Sequence, residues 1–156
     1  MNYQDSFQKL VNHLFLVMRR PAPTLEHGAC VDLVLANGAT IQIHLADANV
    51  TLSTSTPLHR GYSADFLLEL LQINLNVDAA HSIVVSALAA EELIVVWGKE
   101  SLSALTPEGF VEYFDRFCHH VDVITRHNVA KPRDKQTSAA SDLNKSLLTQ
   151  QSITLK

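Results

Sequence analysis

The chain has 156 residues, 47% hydrophobic and 18% charged, with a formal net charge of -4, the size and balance of one globular domain with its own core. The charge is uneven: residues 1–130 hold 7 Lys/Arg against 14 Asp/Glu (-7), and residues 131–156 hold 5 against 2 (+3). An acidic body argues against nucleic acid as the main partner, since phosphate binding needs clustered Lys and Arg, and no stretch approaches the ~18 apolar residues of a membrane span.

In chain order, Tyr3–Arg19 reads as an amphipathic helix. Phe7, Leu10, Val11, Leu14, Phe15, Val17 and Met18 share one arc, and Pro21 and Pro23 end it. Leu16 points the other way and is the apolar residue this helix does not explain. The segment is not a secretory signal, because Asn12 and His13 break the apolar run and Arg19 and Arg20 follow it. A cytoplasmic location is the expectation.

Val31, Leu33 and Leu35 alternate up to Asn37-Gly38, and Ile41, Ile43 and Leu45 alternate after it. Asn-Gly between alternating runs predicts a hairpin with a type I′ turn. A third strand, Val50–Thr56, follows a turn around Asp47–Asn49, and Pro57 closes the meander.

Ser63–Leu75 reads as a helix with Ser63 as N-cap. Its core, Phe66–Asn76 (FLLELLQINLN), carries more apolar surface than one face can hide. At roughly 100° per residue the apolar positions span about 220°, against the roughly 100° that packing on one sheet requires. Burying the surplus contributes on the order of 5–10 kcal/mol gross, comparable with the cost of association. A second partner is therefore expected on this helix.

Ser82–Leu88 and Leu93–Trp97 read as strands joined through Ala89–Glu92. The second is a continuous apolar run, which predicts cover on both faces. Thr106-Pro107-Glu108 opens the last helix with an N-cap, a proline at the first helical position and an acid in the first turn. Its buried stripe is Phe110, Tyr113, Phe114, Phe117, Cys118, Val121 and Ile124, and it should run to about Asn128. The order is α-β-β-β-α-β-β-α, an α+β domain over residues 1–130: a twisted antiparallel sheet with helices packed on it. Residues 131–156 form a polar, basic tail of flexible composition.

A search for chemistry finds little. His119, His120 and His127 share a helix but lack the i, i+4 spacing of a zinc pair, so no metal site is expected. His44 reads as a half-exposed strand residue, and His13, His27, His59 and His81 have no activating arrangement around them. Cys30 and Cys118 read as buried thiols. No nucleotide-binding, hydrolase or metalloprotease motif occurs, and no cofactor or catalytic residue is implied. An acidic, motif-poor body with a surplus of apolar helix surface points to a protein that binds another polypeptide.

At this point the chain resembles the class I type III secretion chaperones, the CesT/Tir-chaperone family. The likeness spans residues 3–128 and rests on the element order, the acidic body, FLLELLQINLN followed by two strands, and the closing helix PEGFVEYFDRFCHHVDVI. Two departures stand out. Asn76–Ala80 occupies the place of the family's glycine-rich turn, and the tail exceeds the usual length.

The resemblance implies a non-catalytic homodimer joined through the central helix, with Phe66, Leu67, Leu70, Leu71, Leu75 and the strand residue Val84 at the interface. It also implies a client, the N-terminal chaperone-binding segment of a secreted effector, held unfolded and export-competent in a bacterial cytoplasm. The secretion export ATPase is a further partner the resemblance admits. Client binding has two available modes, strand addition to an edge of the Cys30–Thr56 meander or a short helix in an apolar groove. Leu16, Val34, His44 and Leu52 are the candidate client contacts. The alternatives are a small α+β enzyme or ligand-binding domain, and an adaptor for folded proteins.

Overall fold

A computed structural model describes residues 2–58, 64–74, 83–88 and 90–127. Its elements are α1 (Tyr3–Val17), β1 (Cys30–Val34), β2 (Thr40–Ala46), β3 (Asn49–Pro57), α2 (Ala64–Ile73), β4 (Ile83–Leu88), β5 (Leu93–Ser101) and α3 (Pro107–His127). This is the expected α+β order. The five strands form one antiparallel sheet in the order β1-β2-β3-β5-β4.

Strand parity divides the sheet into two faces. The inner face carries Val31, Leu33, Ile41, Ile43, Val50, Leu52, Thr54, Ile83, Val85, Ile94 and Val96, all buried. In register, Val31–Ile43–Leu52–Gly98–Ile83 forms one row across all five strands. Onto this face pack Phe7, Leu10, Val11, Leu14 and Phe15 of α1, and Phe110, Tyr113, Phe114, Phe117, Val121 and Ile124 of α3, as one continuous core. The α3 stripe is the one its spacing predicts, except that Cys118 is only partly buried at its margin.

Helix ends follow local chemistry. Asn2 caps α1, its Oδ1 accepting from the Gln4 N–H at 3.2 Å. Thr106 caps α3, its Oγ1 accepting from the Gly109 N–H at 3.0 Å. The helix α1 stops at Val17, short of the expected Arg19. Arg19 turns left-handed with φ 56°, and the N–H groups of Arg19 and Arg20 donate back to the carbonyls of Leu16 and Phe15 at 3.0 and 2.9 Å. This is the Schellman arrangement, normally completed by glycine.

The first hairpin departs from expectation. Only Gly38 has positive φ (86°), whereas Asn37 does not. The Gly38 N–H donates to the Leu35 carbonyl at 3.0 Å and the Leu35 N–H to the Ala39 carbonyl at 2.8 Å. That is a three-residue loop with glycine in the left-handed position, not a type I′ turn. The type I′ geometry appears in the next hairpin, where Ala46 pairs with Asn49 and Asp47 and Ala48 have φ of 49° and 60°.

The loop after α1 is held by two glutamines. Gln8 donates to the Pro23 carbonyl at 2.9 Å and accepts from the Leu25 N–H at 2.8 Å, while Gln4 donates to the Glu26 carbonyl at 3.1 Å. The expected caps and ends at Ser63, Leu75 and Ser82, and the tail 131–156, lie outside the described residues.

Candidate polypeptide-binding surfaces

The helix α2 divides its apolar arc between two directions. Phe66 and Leu70, about 40° apart on the wheel, turn into the chain's own core. Leu67, Leu68 and Leu71 point outward and are 43%, 56% and 60% exposed. This corrects the assignment of Phe66 and Leu70 to a dimer interface, because intrachain packing already removes them from water. Leu68, absent from that assignment, belongs to the outward set. Leu75 lies outside the described residues.

On the outer face of the sheet, register defines a second apolar zone. Val84 lies opposite Trp97, Ser86 opposite Val95, and Leu88 opposite Leu93, with Pro57 beyond Leu93 on β3. Leu88 and Trp97 are exposed, while Val84, Leu93 and Val95 are half-buried. The continuous run in β5 therefore has one covered face and one open face within a single chain. The expected second cover has no source among the described residues.

Towards β1 the same face becomes polar. The row Asp32–Gln42–Ser53 leads into Trp97, and Cys30–His44–Thr51–Lys99 runs beside it. Thr40, Gln42, Ser53, Thr54, Ser55 and Val95 line a shallow trough of about 190 Å³. Ligand pockets are larger, roughly 300–1,000 Å³, so the trough lacks the size of a small-molecule site.

The four candidate client contacts separate. Val34 is exposed on β1 and His44 is half-buried on β2, both on the outer face. They sit at opposite ends of the β1–β2 ladder, about 13 Å apart along the strand. Leu16 is 71% exposed, but it projects from α1 on the inner side of the sheet. Leu52 is fully buried in the inner row, so its place as a client contact is corrected: it is a core residue. Its alternation with Val50 and Thr54 was the available signal. Residues overlooked as candidates are Leu68, Leu88 and Trp97, together with Tyr3 and Val17 on α1, all exposed.

The two sheet edges differ. Among the described residues, no strand, loop or side chain hydrogen-bonds to the outer side of β1. At the β4 edge, the Asn74 carboxamide donates to the Val85 carbonyl and accepts from the Val85 N–H, both at 2.8 Å.

Titratable groups add little chemistry. Burial pushes the Cys118 thiol up to about 12, with the Asp115 charge acting the same way, so it stays protonated at neutral pH. Cys30 is exposed, not buried as expected; partial burial and the Asp32 carboxylate still raise its thiol. Burial, with Glu100 nearby, also raises the Tyr113 hydroxyl. His13 lies 4.0 Å from Glu108 and links α1 to α3, and the His120 Nδ1 is 2.9 Å from the Arg116 carbonyl oxygen within its own helix. Among the described residues no three His, Cys, Asp or Glu side chains are grouped to hold a metal ion, and no helix is long and apolar enough to cross a membrane.

No protein-family model and no curated protein sequence matches the chain. Solved structures do. A chain of the ExsC–ExsE complex is 12% identical with a TM-score of 0.65, the match covering 81% of this chain and 96% of that one. A chain of the HopA1–SchA chaperone–effector complex is 8% identical with a TM-score of 0.63, covering 79% and 95%. A chain from the Yersinia pestis type III secretion chaperone SycH bound to a fragment of YscM2 is 8% identical with a TM-score of 0.61, covering 76% and 98%. The architecture also occurs in YbjN, a putative transcription regulator from E. coli, at 14% identity and a TM-score of 0.52, covering 73% and 84%. At these identities the likeness is one of fold: this chain has the α+β fold of type III secretion chaperone–effector complexes.

Proposed function

We propose that this protein is a non-catalytic type III secretion chaperone, working in the cytoplasm as a homodimer and holding the N-terminal segment of a secreted effector in an extended, export-competent form. The observation that carries the reading is the distribution of exposed apolar residues on this fold. They gather on the outward side of α2 and the adjoining half of the outer sheet face, with further exposed apolar residues on α1 and, across the sheet from it, on β1.

In this reading the first group joins two copies. Leu67, Leu68 and Leu71, with Val84, Leu88 and Trp97, are large side chains that would each contribute about 1.5–3 kcal/mol on full burial. Val34 and the open edge of β1, and across the sheet Leu16 and Val17 at the end of α1, receive the client. Backbone pairing along an edge tolerates many sequences, which suits a client recognised while unfolded. The export ATPase remains a candidate partner of the assembled complex.

Co-expression with proteins secreted from the same cell, followed by limited proteolysis of the complex, tests this function. The expected result is protection of one short segment near the client's N-terminus that is cleaved rapidly in the free client. Binding confined to a folded client domain would instead favour an adaptor. The likeness to YbjN favours a second reading, a role in transcription. The charge of -7 over residues 1–130 weighs against direct contact with nucleic acid in that role.

A further inference from the structure

The antiparallel sheet has two edges, β1 and β4, and an unprotected edge is a template for any extended chain, including another copy of this one. Residues alternate along an antiparallel strand, directing their N–H and C=O first to one side and then to the other. Val85 is an outward residue of β4, because both its backbone groups bond to Asn74 and not to β5. By the same alternation Ile83 and Ala87 also face outward, so Val85 is the middle of three.

An incoming strand must pair with successive outward residues. The Asn74 carboxamide, at the end of α2, presents to Val85 the donor and acceptor of a neighbouring peptide group and occupies the centre of the edge. Nothing equivalent closes β1 among the described residues. We propose that Asn74 selects the pairing edge: it closes β4 to extended polypeptide and so confines strand addition to β1. The inference deepens the polypeptide-binding reading, resting on it only for the identity of the chain that pairs at β1.

The test uses the full chain and a second copy of it as the pairing strand. In the wild type, the Val85 amide should exchange at least about tenfold more slowly than the outward Ala87 amide, an order-of-magnitude difference in local protection. Asn74→Leu should raise the mass measured by sedimentation at least twofold over wild type at the same concentration. Adding Ala87→Pro, which removes an outward N–H and blocks edge pairing, should return the wild-type mass.

A merely structural role for Asn74 would lower the unfolding midpoint without raising mass, and proline would not reverse it. Wild-type exchange at Val85 as fast as at Ala87, or a folded Asn74→Leu protein of unchanged mass, overturns the proposal. If Asn74→Leu does not fold, Asn74→Asp is measured in the same way, since it keeps the acceptor and sets a negative charge against the Val85 carbonyl. Because the chain pairs with itself in this experiment, a negative result leaves client binding standing. Failure to bind a client, in turn, leaves this result intact.

Discussion

Single positions carry conformational costs that the sequence alone would not place. Arg19 and Ala48 both hold positive φ, where a side chain costs about 1–2 kcal/mol. Arg19→Gly and Ala48→Gly should each stabilise the fold by about 0.5–1 kcal/mol, after the larger chain entropy that glycine loses on folding; urea midpoints measure this. Leu52→Ala should cost about 2–5 kcal/mol, because it opens a cavity in a fully packed row. Cys118 gives a pH dependence. Its thiol has a folded-state value raised from 9.0 to about 12, so the unfolded chain loses that proton first and stability falls as pH rises through this window. Cys118→Ala should flatten the slope of unfolding free energy against pH between these limits.

Elements show why some of the architecture was legible and some was not. The α3 stripe and its Thr106-Pro107 start are local signals, and the structure places both as read. The alternation of Val31, Leu33, Ile41 and Ile43 likewise fixed which residues share a face. Turn type was not legible at Asn37-Gly38, since one glycine can serve either a two-residue or a three-residue loop and strand register decides between them. The split of α2 was half legible: the wheel showed a surplus of apolar residues but not which leucines face home. The glutamine clamp was beyond reach, because Gln8 is 17 residues from Leu25 and only the folded path of the loop brings them together. Gln8→Ala should release that loop at a cost of about 1–2 kcal/mol, detectable as faster exchange of the Leu25 amide.

At the scale of the molecule, the sheet is a partition. Its inner face closes on α1 and α3, and its outer face grades from hydroxyls and amides near β1–β3 to Val84, Leu88, Leu93, Val95 and Trp97 at β4–β5. A single chain leaves that apolar end open, together with three leucines of α2. The candidate client contacts were the least legible part, because an exposed Leu16 or Val34 carries no signal of its own in one sequence. Leu52 failed as a contact for a simpler reason: its parity places it inward. Trp97 is the chain's single tryptophan and lies on the proposed dimer surface, so its emission should shift to the red when the copies separate.

Native mass spectrometry of the wild type beside Leu71→Asp tests the central claim most directly, with circular dichroism to confirm that both are folded. A charge in a desolvated contact costs more than such an interface supplies, whereas on an open surface it is tolerated. The wild type is predicted to be a dimer and Leu71→Asp a folded monomer. A monomeric wild type, or a Leu71→Asp protein that remains dimeric, would contradict the account.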